Sequence, residues 1–426
     1  MVGNRLFLLG QSTSLLGDGL AVLSVPLLVL QLTASPVLSA LAAAPRVIGY
    51  LIAGLPAGPL VDHTNPWRVL LAADAVRMAV FVLMAMALVI GRCPVAAILA
   101  LAGVAGVATV FFETALAVAI RDIYTGTQLL RVNGFLETSG QLSLVLGPAT
   151  VGVLIAAAGQ QAALLTNAAT FAISALTVWT TYQRLQPPEF TKITSIATED
   201  RTGTAPNVLG SLGTEFRAGL RYLLTEPFIA GITALQVMTS FGLATETLIP
   251  FFAHERLGAS SALMGLVLAG GGVGGAFGAL ITAAIGARWS PIPACLTAAL
   301  IMALGLTSAG FAPGLVWLAA ANALLAGASM VVVVVVRTLR QQVVPRALLG
   351  RVTSAARSLV LVAAAAGTML AGVLTRFGGD NPRPVFIGAA VFVAGSTALV
   401  WMRILGPLSH RLRKTDRSDQ CAPISS

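Results

Sequence analysis

The chain has 426 residues, of which 57% are hydrophobic and only 10% charged, and its mean hydropathy is +0.88. A soluble domain carries about 25% charged residues, so the composition excludes a soluble enzyme or binding module and indicates an all-α protein that crosses a membrane many times. The net charge of +10 is not gathered into one basic face or tail, which argues against nucleic acid as a partner.

Apolar stretches of about 20 residues, the length a helix needs to span a bilayer, recur twelve times. The first six lie near Phe7–Leu30, Pro36–Leu60, Val69–Ile90, Val95–Ile120, Phe135–Ala158 and Ala162–Tyr182. The other six lie near Phe228–Ala253, Ala262–Ile285, Ile292–Phe311, Leu315–Val336, Val352–Thr375 and Val385–Ile404. The start of the chain has no A-x-A cleavage site and reads as a first spanning helix, not a removed signal. Four parts follow: a six-helix bundle over 1–183, a linker over 184–227, a second bundle over 228–405 and a basic tail over 406–426. The linker is rich in Pro, Thr and charge, and its end, around Leu212 to Leu224, predicts an amphipathic helix at the membrane surface.

With the N-terminus inside, outer loops hold Arg92, Arg256, Arg376 and Arg383. The inner loops and ends hold Arg5, Arg68, Arg121, Arg131, Arg184, Lys192, Arg201, Arg288, Arg340, Arg351 and a tail cluster around Arg411 and Lys414. Bases concentrate on the cytoplasmic side, so both termini are expected in the cytoplasm of a cell that carries this protein in its plasma (inner) membrane.

An internal repeat joins the halves. Arg131 to Leu154 (RVNGFLETSGQLSLVLGPATVGVL) aligns without gaps on Arg351 to Leu374 (RVTSAARSLVLVAAAAGTMLAGVL), with Gly147 over Gly367 and Gly152 over Gly372. Less sharply, Pro26 matches Pro250. Duplication of a six-helix unit is the pattern of secondary transporters, whose site lies between the repeats.

Between the second and third spans stands GPLVDHTNPWR, Gly58 to Arg68. It fixes those spans as antiparallel neighbours and sets an acid and a base at the membrane surface. Gly58 admits a close backbone approach, Asp62 can accept bonds from a helix N-terminus, and Arg68 can pair with a carboxylate or lipid phosphate. This stretch resembles the loop motif of the major facilitator superfamily, with Gly58, Leu60, Asp62 and Arg68 in place and His63 where an arginine is usual. More narrowly, SLLGDGL at Ser14–Leu20, LLAADAVR at Leu70–Arg77, FFET and GQLSLVLGP resemble the drug:proton antiporter branch that includes macrolide and enterobactin exporters. The resemblance implies two pseudo-symmetric six-helix bundles and a loop Asp62 facing the start of the eleventh span, near Arg351 and Val352. It also matches Ser143-x-x-x-Gly147-Pro148-x-x-x-Gly152 to the antiporter motif of the fifth span, with Val151 replacing the first of a glycine pair.

No catalytic constellation is present, so no enzyme activity is expected, and no cofactor. Cys93, Cys295 and Cys421 have no metal or redox spacing. No G-x-x-x-x-G-K-[ST] stands in the sequence, which leaves an ion gradient as the energy source and directs attention to charges inside the membrane, functional there by default. Asp18 lies near the middle of the first span between Gly17 and Gly19, and Arg46 near the middle of the second. The two are read either as a proton-coupled switch, in which separation of the pair changes protonation, or as a static ion pair. Glu246 in the seventh span binds a cationic substrate or a proton, or else lines an outer vestibule. Glu113, Asp74 and Arg77 are placed with Asp62, Arg68 and Arg351 in an inner lattice that holds a cytoplasmic gate. The run LAGGGVGGAFGAL (Leu268 to Leu280) is either close packing or a flexing gate helix. The expected function is a proton-coupled exporter of a small apolar or amphiphilic compound, working as a monomer, with a proton and the lipid bilayer as its other partners. An uptake carrier for a polar metabolite and a non-transporting membrane sensor are the alternatives.

Overall fold

The computed structural model describes residues 2–33, 38, 42, 45–91, 94–185, 208–285 and 290–407. Every regular element among them is helical. The N-terminal elements are α1 (Val2–Thr33), α2 (Pro45–His63), α3 (Pro66–Val89), α4 (Val95–Ile123) and a 60-residue run, Gly126–Leu185. That run folds back at Gly159, whose φ of 81° and ψ of 176° suit a residue without a Cβ, and gives two arms, α5 (126–158) and α6 (160–185). Then come α7 (Val208–Thr225), α8 (Pro227–Leu243), a 3-10 turn (Ala244–Leu248) and α9 (Ile249–Glu255). The chain continues through α10 (Ser261–Ile285), α11 (Pro291–Gly310), α12 (Leu315–Val343), α13 (Leu349–Phe377) and α14 (Arg383–Val400). Ten helices among the described residues are long and apolar enough to cross a membrane. The folded-back run contributes two crossings and α2 adds one more, which gives twelve.

The seventh span is the main departure from the expected helices. The expected single helix Phe228–Ala253 is divided into α8, the 3-10 turn and α9. Pro250 explains the break: in an α-helix its missing N–H would have bonded the carbonyl of Glu246. Instead the amide of Ile249 donates to that carbonyl, closing a tighter turn. Helix starts elsewhere follow local chemistry. Pro66, Pro227 and Pro291 open α3, α8 and α11, where a missing N–H costs nothing. Asn65 caps α3 by accepting from the amide of Trp67 at 2.9 Å.

The chain packs as two compact units. The first is Met1–Leu220 with Gln341–Ala355, and the second is Arg221–Arg340 with Ala356–Ser426. In the first, Phe81, Met84, Ile98 and Phe171 lie at the centre of an apolar cluster, with the Phe81 and Phe171 rings 5.8 Å apart. In the second, Phe252 and Phe386 play the same part at 6.0 Å. Large apolar side chains such as Leu83, Leu266, Val316 and Val391 are exposed, as a lipid-facing surface requires.

Small residues set the closest helix contacts. A Cβ on Gly147 of α5 would collide with the backbone of Gly19 in α1, and one on Gly367 of α13 would collide with the backbone of Phe241 in α8. Gly152 and Gly372 have open space at the same positions of the repeat. The aligned glycines therefore behave alike in the two units. The glycine run of α10 serves close packing: Gly274 and Gly278 lie against the backbone of Ala323 and Gly327 in α12. The expected linker and tail segments 186–207 and 408–426, with Lys192, Arg201, Arg411 and Lys414, lie outside the described residues, as do Arg92, Cys93 and Arg288.

Replacing Gly147 by Val forces α1 and α5 apart and should cost about 1–3 kcal/mol, whereas Gly152→Val should be neutral. Thermal unfolding of the two purified variants in detergent checks the difference; equal stabilities would contradict the packing described.

Candidate functional site

Within the first unit, the buried charges converge on Arg77 of α3. Its Nη1 donates to Oδ1 of Asp18 at 3.3 Å, and its Nη2 donates to the Ser14 hydroxyl at 3.3 Å and to Oδ1 of Asp74 in a short contact. The guanidinium lies between two rings, 4.1 Å from the centre of Phe112 and 4.3 Å from that of Phe171. Cation–π attraction is strongest where water is excluded, and the Arg77 side chain is 1% exposed. Asp74 sits one helical turn before Arg77 and is fully buried. Asp18, at 27% exposure, is the open member of the three. It lines a cavity of about 110 Å³ together with Arg77, Phe81, Thr109 and Phe171.

This arrangement redraws the expected roles. Asp74 and Arg77, expected in the inner lattice, stand with Asp18. The i, i+3 spacing of an acid and a base on one membrane helix was the signal for it, because such a pair shares a face. The expected partner of Asp18, Arg46, belongs to α2 but its side chain lies outside the described residues.

A second set of contacts ties residues 341–355 to α2, α4 and α5 inside the same unit. Asp62, at the end of α2, accepts from the amide of Gly350 at 2.8 Å with Oδ1 and from the amide of Arg351 at 3.0 Å with Oδ2. These amides lie in the first turn of α13, which has no intrahelical acceptors for them, and the anion there complements the helix dipole. Gly58, one turn earlier, makes room: a Cβ there would lie 2.7 Å from the Arg351 Cα and 2.8 Å from the Gly350 carbonyl oxygen. Around this cap, Arg346 pairs with Asp122 at 2.7 Å, Arg121 donates to the Val344 carbonyl, and Asn133 donates to Gln341 at 2.5 Å. Sequence reasoning did not single out Asp122, Asn133 or Gln341. Arg68 is exposed in the first turn of α3 and Glu113 is half-buried in α4. Pro148 follows the close-packed Gly147 inside α5.

In the second unit, Glu246 lies on the 3-10 turn and lines a cavity of about 470 Å³. Ser240, Thr247 and Thr368 bring hydroxyls to it, and Leu243, Leu268 and Val360 bring apolar surface. Among the described residues, no hydrogen bond or ion pair engages the Glu246 carboxylate. A carboxylate on a broken helix beside an otherwise mostly apolar cavity suits a ligand with one cationic group and an apolar body.

The Asp62 contact has a direct reading in exchange kinetics. Asp62→Ala removes both acceptors from the start of α13, costing about 1–3 kcal/mol. Hydrogen exchange of the amides of Gly350 and Arg351 should then accelerate about tenfold or more; unchanged exchange would contradict the cap.

Comparison with known proteins agrees with this architecture. The chain is 25% identical over 422 residues to the multidrug efflux pump Tap of Mycolicibacterium fortuitum, covering 96% of each. It is 27% identical over 436 residues to the protein of the same name from Mycobacterium tuberculosis, covering 96% of this chain and 94% of that one. Among solved structures it is similar to a bacterial homologue of the iron transporter ferroportin, with a TM-score of 0.73 and 15% identity over 94% of this chain and 100% of the other. It is also similar to the fucose:proton symporter of E. coli, with a TM-score of 0.71 and 15% identity over 95% and 98%. At these identities the structures speak for the fold alone. The sequence profile of the Major Facilitator Superfamily matches residues 7–368 and again 247–424. The chain therefore belongs to the Major Facilitator Superfamily: it is a multi-pass membrane transporter and not an enzyme.

Proposed function

We propose that the chain is a proton-coupled exporter of small apolar or amphiphilic compounds, such as a drug, antibiotic or siderophore, with both termini in the cytoplasm. The observation that carries this reading is the Asp18 carboxylate, partly open on a cavity wall and bonded to a guanidinium that is itself buried. Asp18 is the coupling carboxylate. When it takes a proton it no longer accepts a charge-assisted bond, and Arg77 falls back on Asp74, Ser14 and its two aromatic rings. Arg77 keeps the Asp74 carboxylate in either state, so the proton can come and go without leaving a bare cation in the membrane. The efflux names of the relatives support the outward direction.

Substrate binding falls to the Glu246 cavity, whose single carboxylate holds a cationic group while the apolar walls take the body of the compound. The Asp62 cap on α13, with Gly58 and Arg351, is the cytoplasmic gate contact, made in one state of the alternating-access cycle and released in the other. The Arg346–Asp122 pair flanks it, and Arg68 and Glu113 are assigned to the same gate. The positive-inside distribution of arginines supports this orientation, and the transporter works as a monomer.

Proteoliposomes under an imposed pH gradient test the proposal. Adding a lipophilic substrate should dissipate the gradient in the wild type and not in Asp18→Asn; equal dissipation in both would remove Asp18 from the coupling step. Glu246→Gln should weaken apparent affinity for cationic compounds about tenfold, about 1.4 kcal/mol, and leave neutral ones unaffected. An equal effect on both kinds would assign Glu246 a structural part.

A further inference from the structure

His63 follows Asp62 at the end of α2 and is exposed. Its Nε2 lies 2.7 Å from Nη2 of Arg351. A guanidinium has only donors and keeps its proton in proteins. The ring nitrogen facing it must therefore be the acceptor, which fixes His63 as neutral with its proton on Nδ1. A protonated imidazole has donors on both nitrogens and would place a second positive charge against Arg351. The same guanidinium also approaches Asp62, with Nε 3.6 Å from Oδ2, and its backbone amide is one of the two that Asp62 holds.

We propose that His63 makes the α2–α13 contact pH-sensitive: protonation of its ring expels Arg351 and loosens the Asp62 cap. In the orientation proposed above, acid on the cytoplasmic side would release this contact. The sign follows from proton linkage. The docked contact accepts only neutral His63, so the undocked state binds more protons there, and docking weakens as the pH falls. Histidine is suited to this because its charge changes within the physiological range, whereas the arginine usual at this position would carry a constant charge.

Among the described residues, the charged groups placed around this contact leave the sign intact. Asp62 on α2 is occupied by the amides of Gly350 and Arg351. Arg346, beyond the start of α13, is tied to Asp122 of α4. Arg68 on α3 is an exposed cation, which opposes an added positive charge and does not reward it. On α7 the residue against Arg351 is Gly219, which has no charge to offer.

The test is a distance measured within this unit. Spin labels at Thr64→Cys and Ala347→Cys, both exposed, are placed in a full-length chain lacking Cys93, Cys295 and Cys421 and reconstituted in nanodiscs. Between about pH 8 and about pH 5.5, the range in which histidine titrates, the separated population should rise several-fold. His63→Gln, which can accept a bond and does not titrate, should hold the labels close throughout. The Asp18→Asn chain should keep the pH response, so failure of the coupling assignment and failure of this inference would be told apart. A pH response of unchanged size and midpoint in His63→Gln, or no response in the wild type, would overturn the proposal.

Discussion

The internal order of the first unit depends on one guanidinium. Arg77 is almost wholly removed from solvent, and a cation there is tolerated because its two terminal nitrogens and its face are engaged by Asp18, Asp74, Ser14, Phe112 and Phe171. A buried charge stripped of its partners costs several kcal/mol, so α1 and α3, with the helices that carry the two rings, are held in one mutual arrangement. The same demand gives the site its capacity to respond. Of the two carboxylates, Asp74 is sealed and Asp18 opens on the cavity, so a change in protonation can be confined to one member while the other keeps the cation satisfied.

Close backbone approach supplies the frame around this cluster. Gly19 adjoins Asp18 in α1 and lies against Gly147 of α5. The second unit repeats the geometry with Gly367 on the backbone of Phe241, but there the helix corresponding to α1 is broken after Leu243. One half thus presents an acid from a continuous helix with a buried basic partner. The other presents an acid from a broken helix on a larger cavity. Duplication gave both halves one packing scheme, and their different polar content permits different tasks.

Much of this was legible in the sequence. Twelve apolar stretches, the gapless repeat and the polar hairpin defined the helices, and the resemblance to the superfamily's loop motif implied Asp62 opposite the start of α13. The partner of Asp18 was not legible in the same way. Apolar periodicity in a membrane helix says little about facing, because lipid and protein interior are both apolar; Arg46 was the expected partner, and Arg77 was expected in the inner lattice. Only the acid–base spacing at Asp74 and Arg77 pointed to α3. The break in the seventh span was carried by Pro250, but proline is tolerated inside other helices of this chain, such as α1 with Pro26, so the residue alone did not announce it. The contacts of Asn133 and Gln341 join residues more than two hundred positions apart and left no local pattern.

The most direct test of the account is the protonation state of Asp18 during substrate binding, read from the carboxyl region of an infrared difference spectrum. The account predicts that adding substrate changes a carboxylic acid band in the wild type, and that this feature is missing from Asp18→Asn. The same carboxyl difference spectrum in both proteins would contradict it, and would move the proton to another group.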